Sequence, residues 1–322
     1  MKAIVCHNYG GPDVLQLEEI AKPVPKENEV LVKIHAASIN SWDWDLLKGD
    51  VANRLIFGGY RKPKLKVIGC DIAGRVEAIG ENVTKFQLGD DVFGDLCASG
   101  WGGFAEYACA HENALALKSP SLTFKEAAAV PQAGVMALQG LRDNGQIQPG
   151  QTMLMNGAGG GVGTFAIQMA KAFGAEVTGV DSADKLEMLR SIGADHVIDY
   201  KKEDFTQNGR CYDLILDVVG KRSVSDYNRV LNPQGTYFMI GGPIPRILQN
   251  LLLGAWISKR EPKKMGLLLH EPNKDLPYMN EFFEEGKVKP IVDRCYPLAD
   301  VADAFRYFVD GEFQGKIVIT MD

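Results

Sequence analysis

The stretch "NGAGGGVGTFAIQMAKAFGAEVTGVDSADK", residues 156–185, sets a glycine run before a mostly apolar segment and a short strand-like run, then an acid, a hydroxyl and a base within five residues. Glycines at a strand-to-helix turn let backbone approach a pyrophosphate, and the unpaired N–H groups of a helix N-terminus favour an anion. Aligned on its last glycine, the turn reads Ala158-x-Gly160-x-x-Gly163, so alanine stands where such turns usually open with glycine. Gly160 then serves the approach to pyrophosphate, and Gly163 the close packing of helix on strand. Asp181, 18 residues beyond Gly163, falls where an acid accepts hydrogen bonds from the adenine ribose and repels a 2'-phosphate. Ser182 and Lys185 offer a hydroxyl and an ammonium to that same phosphate, and the phenol of Tyr200 ends the following strand within reach. The acid argues for NADH, the other three for NADPH. Each of the three also has an ordinary structural role: Ser182 as an N-cap, Lys185 as an exposed first-turn residue, Tyr200 as a strand end.

Other chemistries are poorly represented. Six cysteines are scattered without a C-x-x-C pair, which removes the usual patterns of a structural zinc site or a dithiol redox centre, and buried free thiols in a reducing cytoplasm are expected. The five histidines are equally dispersed: His111-Glu112 lacks the second histidine of H-E-x-x-H, and no G-x-S-x-G elbow occurs.

The elements around these residues fall into two textures. Up to about residue 120, short runs such as "EVLVKIHAAS", "GRVEAIG", "DDVFGDL" and "GGFAEYACA" are bounded by glycine and proline, which predicts a β-rich, barrel-like unit. Thr123 and Glu126 have capping-box spacing at the head of a helix that Pro131 interrupts. From Gln151 on, "TMLMN", "EVTGVD", "HVIDY", "YDLILDVV" and "TYFMIGG" alternate with helical segments, the pattern of a parallel sheet covered on both faces. The final "PLADVADAFRYFVDG" and "GKIVITM" return to the first texture, so the middle unit reads as an insertion into the first.

The chain of 322 residues is 46% hydrophobic, and its length favours two domains. A net charge of −6 gives no broad attraction for nucleic acid or an anionic membrane, so neither is an expected partner. The opening "MKAIVCHNYGG" lacks the apolar core of a secretory signal, and "ILQNLLLGAWI", broken by Gln249 and Asn250, is too short to span a bilayer and is expected to be a buried helix.

The segments "ASINSWDWDLLKG", "VIGCDIAGRVEAIG", "LGDDVFG", "GGFAEYA", "EAAAVPQAGVMAL", "AGGGVG", "IGADHVIDY" and "GKIVI" follow in the order and spacing of the medium-chain dehydrogenases/reductases. Over essentially its whole length the chain resembles their zinc-independent quinone oxidoreductase branch. The resemblance implies an α/β protein: a GroES-like β-barrel catalytic domain, residues 1–122 completed by 271–322, and a Rossmann doubly wound parallel-sheet coenzyme domain, residues 123–270, with the active site in the cleft between them. It implies NADPH as cofactor, with NADH possible because Asp181 departs from the neutral residue many such members carry. Gly159, Gly160, Gly161 and Val162 would hold the pyrophosphate, and Ser182, Lys185 and Tyr200 the adenosine phosphate. Asn40, Val219, Gly241 and Gly242 would line the nicotinamide end, closed by Phe313, Gln314 and Lys316. Zinc-using relatives carry cysteine near Asn40 or Ser41 and histidine near Cys70; neither is present, nor is the lobe of four close cysteines, so no metal site is expected.

The candidate catalytic residues are Asn40, Asp43 and Tyr60. Asn40 is the polar contact on the nicotinamide side, Asp43 an acid that orients its neighbours, and Tyr60, with Trp42 and Trp44, an aromatic wall for a flat acceptor. Asp45 and Val51 replace tyrosines found in some relatives, and Met136 replaces a small polar residue. The expected function is hydride transfer to a quinone acceptor without zinc. Reduction of the C=C bond of α,β-unsaturated aldehydes or ketones uses the same geometry, and a non-catalytic NADPH-binding structural or regulatory protein is the alternative of another class. A cytoplasmic homodimer paired through an edge strand, "TYFMIGG", completes the expectation.

Overall fold

The computed structural model describes all residues except 51–53, 55–58 and 322, so Val51 falls outside the described residues. The chain forms two compact units: Met1–Gln132 with Pro272–Glu284 and Pro290–Asp322, and Ala133–Glu271 with Glu285–Lys289.

The first unit contains β1 (Lys2–Cys6), β2 (Leu15–Glu19), β3 (Glu29–Ser38), β4 (Asp71–Ile79), β5 (Asp91–Asp95), β6 (Tyr107–His111) and β7 (Ala116–Leu117). The second contains β8 (Thr152–Asn156), β9 (Glu176–Asp181), β10 (His196–Asp199), β11 (Tyr212–Asp217), β12 (Leu231–Met239) and β13 (Lys264–Leu267). The chain then returns to the first with β14 (Val292–Pro297) and β15 (Lys316–Thr320).

In the first unit the alternating apolar run of β3 pairs antiparallel with β4, β6 and β15 and buries one face on a core that includes Ile34, Leu47, Ile72, Phe104 and Phe305. Register matters for the site. Ser38 is paired with Asp71, Asp71 with Asp95, and Val318, two residues past Lys316, with Ser38. Polar residues at the ends of four strands are thereby collected in one place. β3 hands the chain to the helix α1 (Ser41–Lys48) through its N-cap Asn40, and Gly49 closes that helix in the left-handed region. Trp42 and Trp44 are partly buried against this core. The Thr123–Glu126 capping box forms, with Glu126 N–H donating to Thr123 Oγ1 at 3.2 Å, and the next helix starts at Pro131.

The second unit is a parallel sheet of order β10-β9-β8-β11-β12-β13. The chain runs outward from β8 to β10 and restarts at β11 beside β8, which makes the carboxyl ends of β8 and β11 the switch point of a doubly wound sheet. Its core stacks Tyr227 on Tyr237 among Leu154, Val180, Ile198 and Ile215.

Three expectations need correction. The strand "TYFMIGG" belongs to β12, which lies between β11 and β13; the edge is β13, a four-residue strand whose "KMGL" carries no alternation to reveal it. The segment "ILQNLLLGAWI" is helical but turns Leu248, Leu251, Leu252 and Trp256 outward, because only one side of it meets the core. Of the six cysteines, Cys6 and Cys70 are buried, while Cys211 and Cys295 are exposed. No helix among the described residues is long and apolar enough to cross a membrane.

Candidate functional site

In the second unit the glycine turn follows β8 and opens the helix Gly161–Ala172. Gly157 has φ +83°, and a methyl group there would lie 2.4 Å from Val218 Cγ2. At Gly163 it would lie 2.3 Å from the carbonyl oxygen of Ala158, so the helix reaches the turn only because a side chain is missing. Gly160 differs: its nearest obstacle would be Gly157 O at 3.7 Å, so packing does not demand glycine there and the open side is left for a ligand. Gly160 is the N-cap and supplies no side-chain bond, leaving first-turn N–H groups of Gly161 and Val162 for an anion. The turn therefore fits a dinucleotide pyrophosphate.

Asp181 ends β9 with its carboxylate turned back onto this turn. Oδ2 accepts from Gly159 N–H at 2.7 Å and Oδ1 from Ser182 N–H at 2.8 Å. Lys185 Nζ lies 3.9 Å from Oδ1, and its side chain folds over Gly159 with 6% of its surface exposed. The ordinary role of an exposed first-turn lysine is thereby excluded. Ser182 has the extended backbone of an N-cap but gives no side-chain cap bond; its hydroxyl bonds the Asp184 carboxylate and holds it below the usual range. Tyr200 follows β10 with its N–H on Asp181 O at 3.2 Å, since Asp199 is in register with Asp181. Asp181, Ser182, Lys185 and Tyr200 thus meet at the carboxyl ends of β9 and β10. Val219 sits after β11 with its N–H on Asp217 Oδ1 at 2.9 Å, and the neighbouring Gly220 is in close contact with Gly241 and Gly242 after β12. Asp217 also accepts from Asn156 Nδ2 at 2.9 Å and Tyr237 OH at 3.1 Å. Sequence reasoning missed it, although a buried acid closing an apolar strand was the available signal.

The first unit holds a second polar group, fully enclosed. Lys316, 4% exposed, donates to Asn40 Oδ1 and to Ile39 O (3.0 Å), and stands 3.7 Å from Asp71 Oδ2. Asn40 Nδ2 donates to Cys70 Sγ at 3.3 Å, and Asn40 N–H to Asp43 Oδ2 at 2.7 Å. Asp71 accepts from Gln132 N–H at 3.2 Å and Ser38 Oγ at 3.4 Å. Burial dominates the electrostatics. It raises the Asp43 carboxyl to about 8 and, against the pull of Lys316, Asp71 to about 6, and it pushes the Cys70 thiol well up. Asp43 Oδ1 has no hydrogen-bond partner among the described residues. Ligand atoms of Cys70, Asp71 and Asp95 lie within 4.8 Å of one another.

The structure therefore joins Asn40, Asp43 and Lys316. Tyr60 lies outside this group with 73% of its surface exposed, and Phe313 stacks on Phe308 with ring centroids 5.1 Å apart. Gln314 is half-buried. That Lys316 serves Asn40 was not legible locally, because 276 residues separate them.

A mostly antiparallel β unit joined to a doubly wound unit is the architecture of a two-domain dehydrogenase/reductase. Residues 26–121 match the family described as "Alcohol dehydrogenase GroES-like domain", and residues 192–319 the family described as "Zinc-binding dehydrogenase". The chain is 35% identical to the 2-methylene-furan-3-one reductase of Solanum lycopersicum, over 99% of this chain and 79% of that protein. It is 33% identical to the chloroplastic NADPH-dependent alkenal/one oxidoreductase of Arabidopsis thaliana, with the same coverage. The solved quinone oxidoreductase of Coxiella burnetii superposes with a TM-score of 0.87 at 29% identity, covering 100% of this chain and 99% of that one. The chain belongs to the quinone oxidoreductase branch of the medium-chain dehydrogenase/reductase superfamily.

Proposed function

We propose that this protein is an NADPH-dependent reductase that delivers hydride to a quinone acceptor without zinc. The carrying observation is the occupied carboxylate of Asp181. With both oxygens on N–H groups and Lys185 beside it, Asp181 presents no bare charge to a 2'-phosphate, while Ser182, Lys185 and Tyr200 stand at the same strand ends. Gly161 and Val162 offer their N–H groups to the pyrophosphate, Gly159 and Gly160 let it approach the turn, and Val219, Gly241 and Gly242 take the nicotinamide end.

When bound, the reduced nicotinamide supplies the hydride. A conjugated acceptor spreads the resulting charge onto oxygen, so the protein's task is to position, to exclude water and to donate hydrogen bonds. Asn40 is the polar contact for this chemistry. Its amide is held by Lys316 on one side and Cys70 on the other, and its backbone by Asp43, which keeps its proton at neutral pH. Tyr60 is assigned an aromatic contact and no proton transfer; Phe313 and Gln314 precede Lys316 as the closing segment. The Lys316 ammonium already gives Asp71 its counter-charge, which supports a metal-free reading of the Cys70–Asp71–Asp95 group; stoichiometric zinc in elemental analysis would reject it. The names of the tomato and Arabidopsis relatives favour a second acceptor class, the C=C bond of enones, reached by the same hydride geometry. We place the enzyme in the cytoplasm as a homodimer, which light scattering of a monomer would contradict.

Lys185→Ala tests the cofactor reading. Loss of a charge-assisted bond predicts NADPH binding weaker by roughly 10- to 100-fold with NADH little changed. Equal losses for both dinucleotides would refute the assignment.

A further inference from the structure

Residues 244–260 form one continuous helical rod: Ile244–Gln249, the π turn Asn250–Gly254, and Ala255–Arg260. Its inner side is anchored. Asn250, Gly254 and Ile257 are buried, Ile247 and Leu253 pack on the core of the second unit, and Asn250 Nδ2 donates to Gly266 O of β13 at 2.8 Å. Its outer side is apolar: Ile244, Leu248, Leu251, Leu252 and Trp256 are 60%, 54%, 50%, 77% and 49% exposed. Their spacing of i, i+4, i+7, i+8 and i+12 puts them on one stripe. Scattered surface leucines need no explanation, but a contiguous stripe of this kind marks an interaction surface.

Charge selects the partner. The rod carries Arg246, Lys259 and Arg260 and no acid, within a chain whose net charge is −6. Arg260 lies over the Trp256 ring at 4.4 Å, so one end of the stripe pairs an indole with a guanidinium. A second copy using the same face would pair the rod with itself, and an antiparallel crossing would set Arg246 against Lys259 and Arg260 with no carboxylate of the rod between them. An anionic lipid surface answers both features at once. Leucine and tryptophan enter the acyl boundary, while lysine and arginine reach the phosphates. The rod is about 26 Å long at 1.5 Å per residue and is anchored along one side, which suits lying in the membrane plane.

We propose that residues 244–260 dock the second unit on an anionic membrane surface as an in-plane amphipathic helix. This docking needs neither cofactor nor acceptor, so it stands apart from the reductase reading. The test is co-sedimentation of the full chain with vesicles of phosphatidylcholine alone or mixed with phosphatidylserine. Binding is expected to the mixed vesicles and to fall with salt. Leu252→Glu with Trp256→Glu should weaken it about tenfold or more, since two large apolar groups leave the bilayer. Lys259→Glu with Arg260→Glu, which spares the stripe, should remove the preference for phosphatidylserine, and circular dichroism establishes folding of each variant. Absence of binding to either vesicle, or binding unchanged in both folded variants, would overturn the proposal. So would light scattering in which the apolar-stripe variant turns a dimer into monomers, for the face would then join two copies.

Discussion

The two polar groups of this molecule are built from the same residue types and set in opposite surroundings. At the glycine turn Asp181 has an N–H group on each oxygen and Lys185 at 3.9 Å, within reach of solvent. In the first unit Asp43, Asp71 and Asp95 are fully buried and Lys316 is the ammonium among them; burial wins at Asp43 and Asp71, which hold their protons more tightly than an ordinary carboxyl. A carboxylate's work is set by its count of donors and its access to water, not by its identity. The first arrangement suits recognition of a charged ligand, the second the rigid orientation of Asn40.

Removing the ammonium should have the largest effect. Lys316→Met leaves Asp71 without its counter-charge and Asn40 Oδ1 without its donor, and a loss of about 3 kcal/mol in denaturant unfolding is expected, with reductase activity falling alongside. A loss below about 1 kcal/mol would mean the group does not depend on its cation.

Next comes pH. Asp43 titrates at about 8 in the folded chain and in the usual carboxylate range when unfolded, so the folded state holds a proton that the unfolded chain has released. That stability is full at acid pH and is lost as pH rises through the window up to about 8, by at most about 1.4 kcal/mol per pH unit. Asp71 contributes in the same sense up to about 6. Asp43→Asn should therefore flatten the decline above pH 6, read from unfolding midpoints; identical declines in both proteins would contradict the assignment.

The smallest effect belongs to the exposed side of the comparison. Ser182→Ala removes one hydroxyl donor to the 2'-phosphate and should weaken NADPH about tenfold, roughly 1.5 kcal/mol, while sparing NADH. A large loss of both would place Ser182 in the fold of the turn instead.

The same contrast explains what the sequence disclosed. The glycine turn and its acid lie within one strand–helix–strand unit, so spacing revealed them; alternation in "EVLVKIHAAS" located β3, and the short apolar run "HVIDY" between helical segments located β10. The enclosed group was only partly legible. Asn40 and Asp43 share a capping turn, but Lys316 and Asp95 arrive through strand register, which no local pattern encodes. The rod at 244–260 misled for a related reason: apolar residues at helical spacing do not state whether protein or another phase will cover them.

The most direct test of the central claim follows the near-ultraviolet absorbance of NADPH as the purified protein meets a panel of quinones and enones. NADPH should be oxidised in proportion to protein and acceptor, at a rate unchanged by zinc chelation and much reduced in Lys316→Met. A folded protein that oxidises NADPH with no member of the panel, or only after zinc is added, would contradict it.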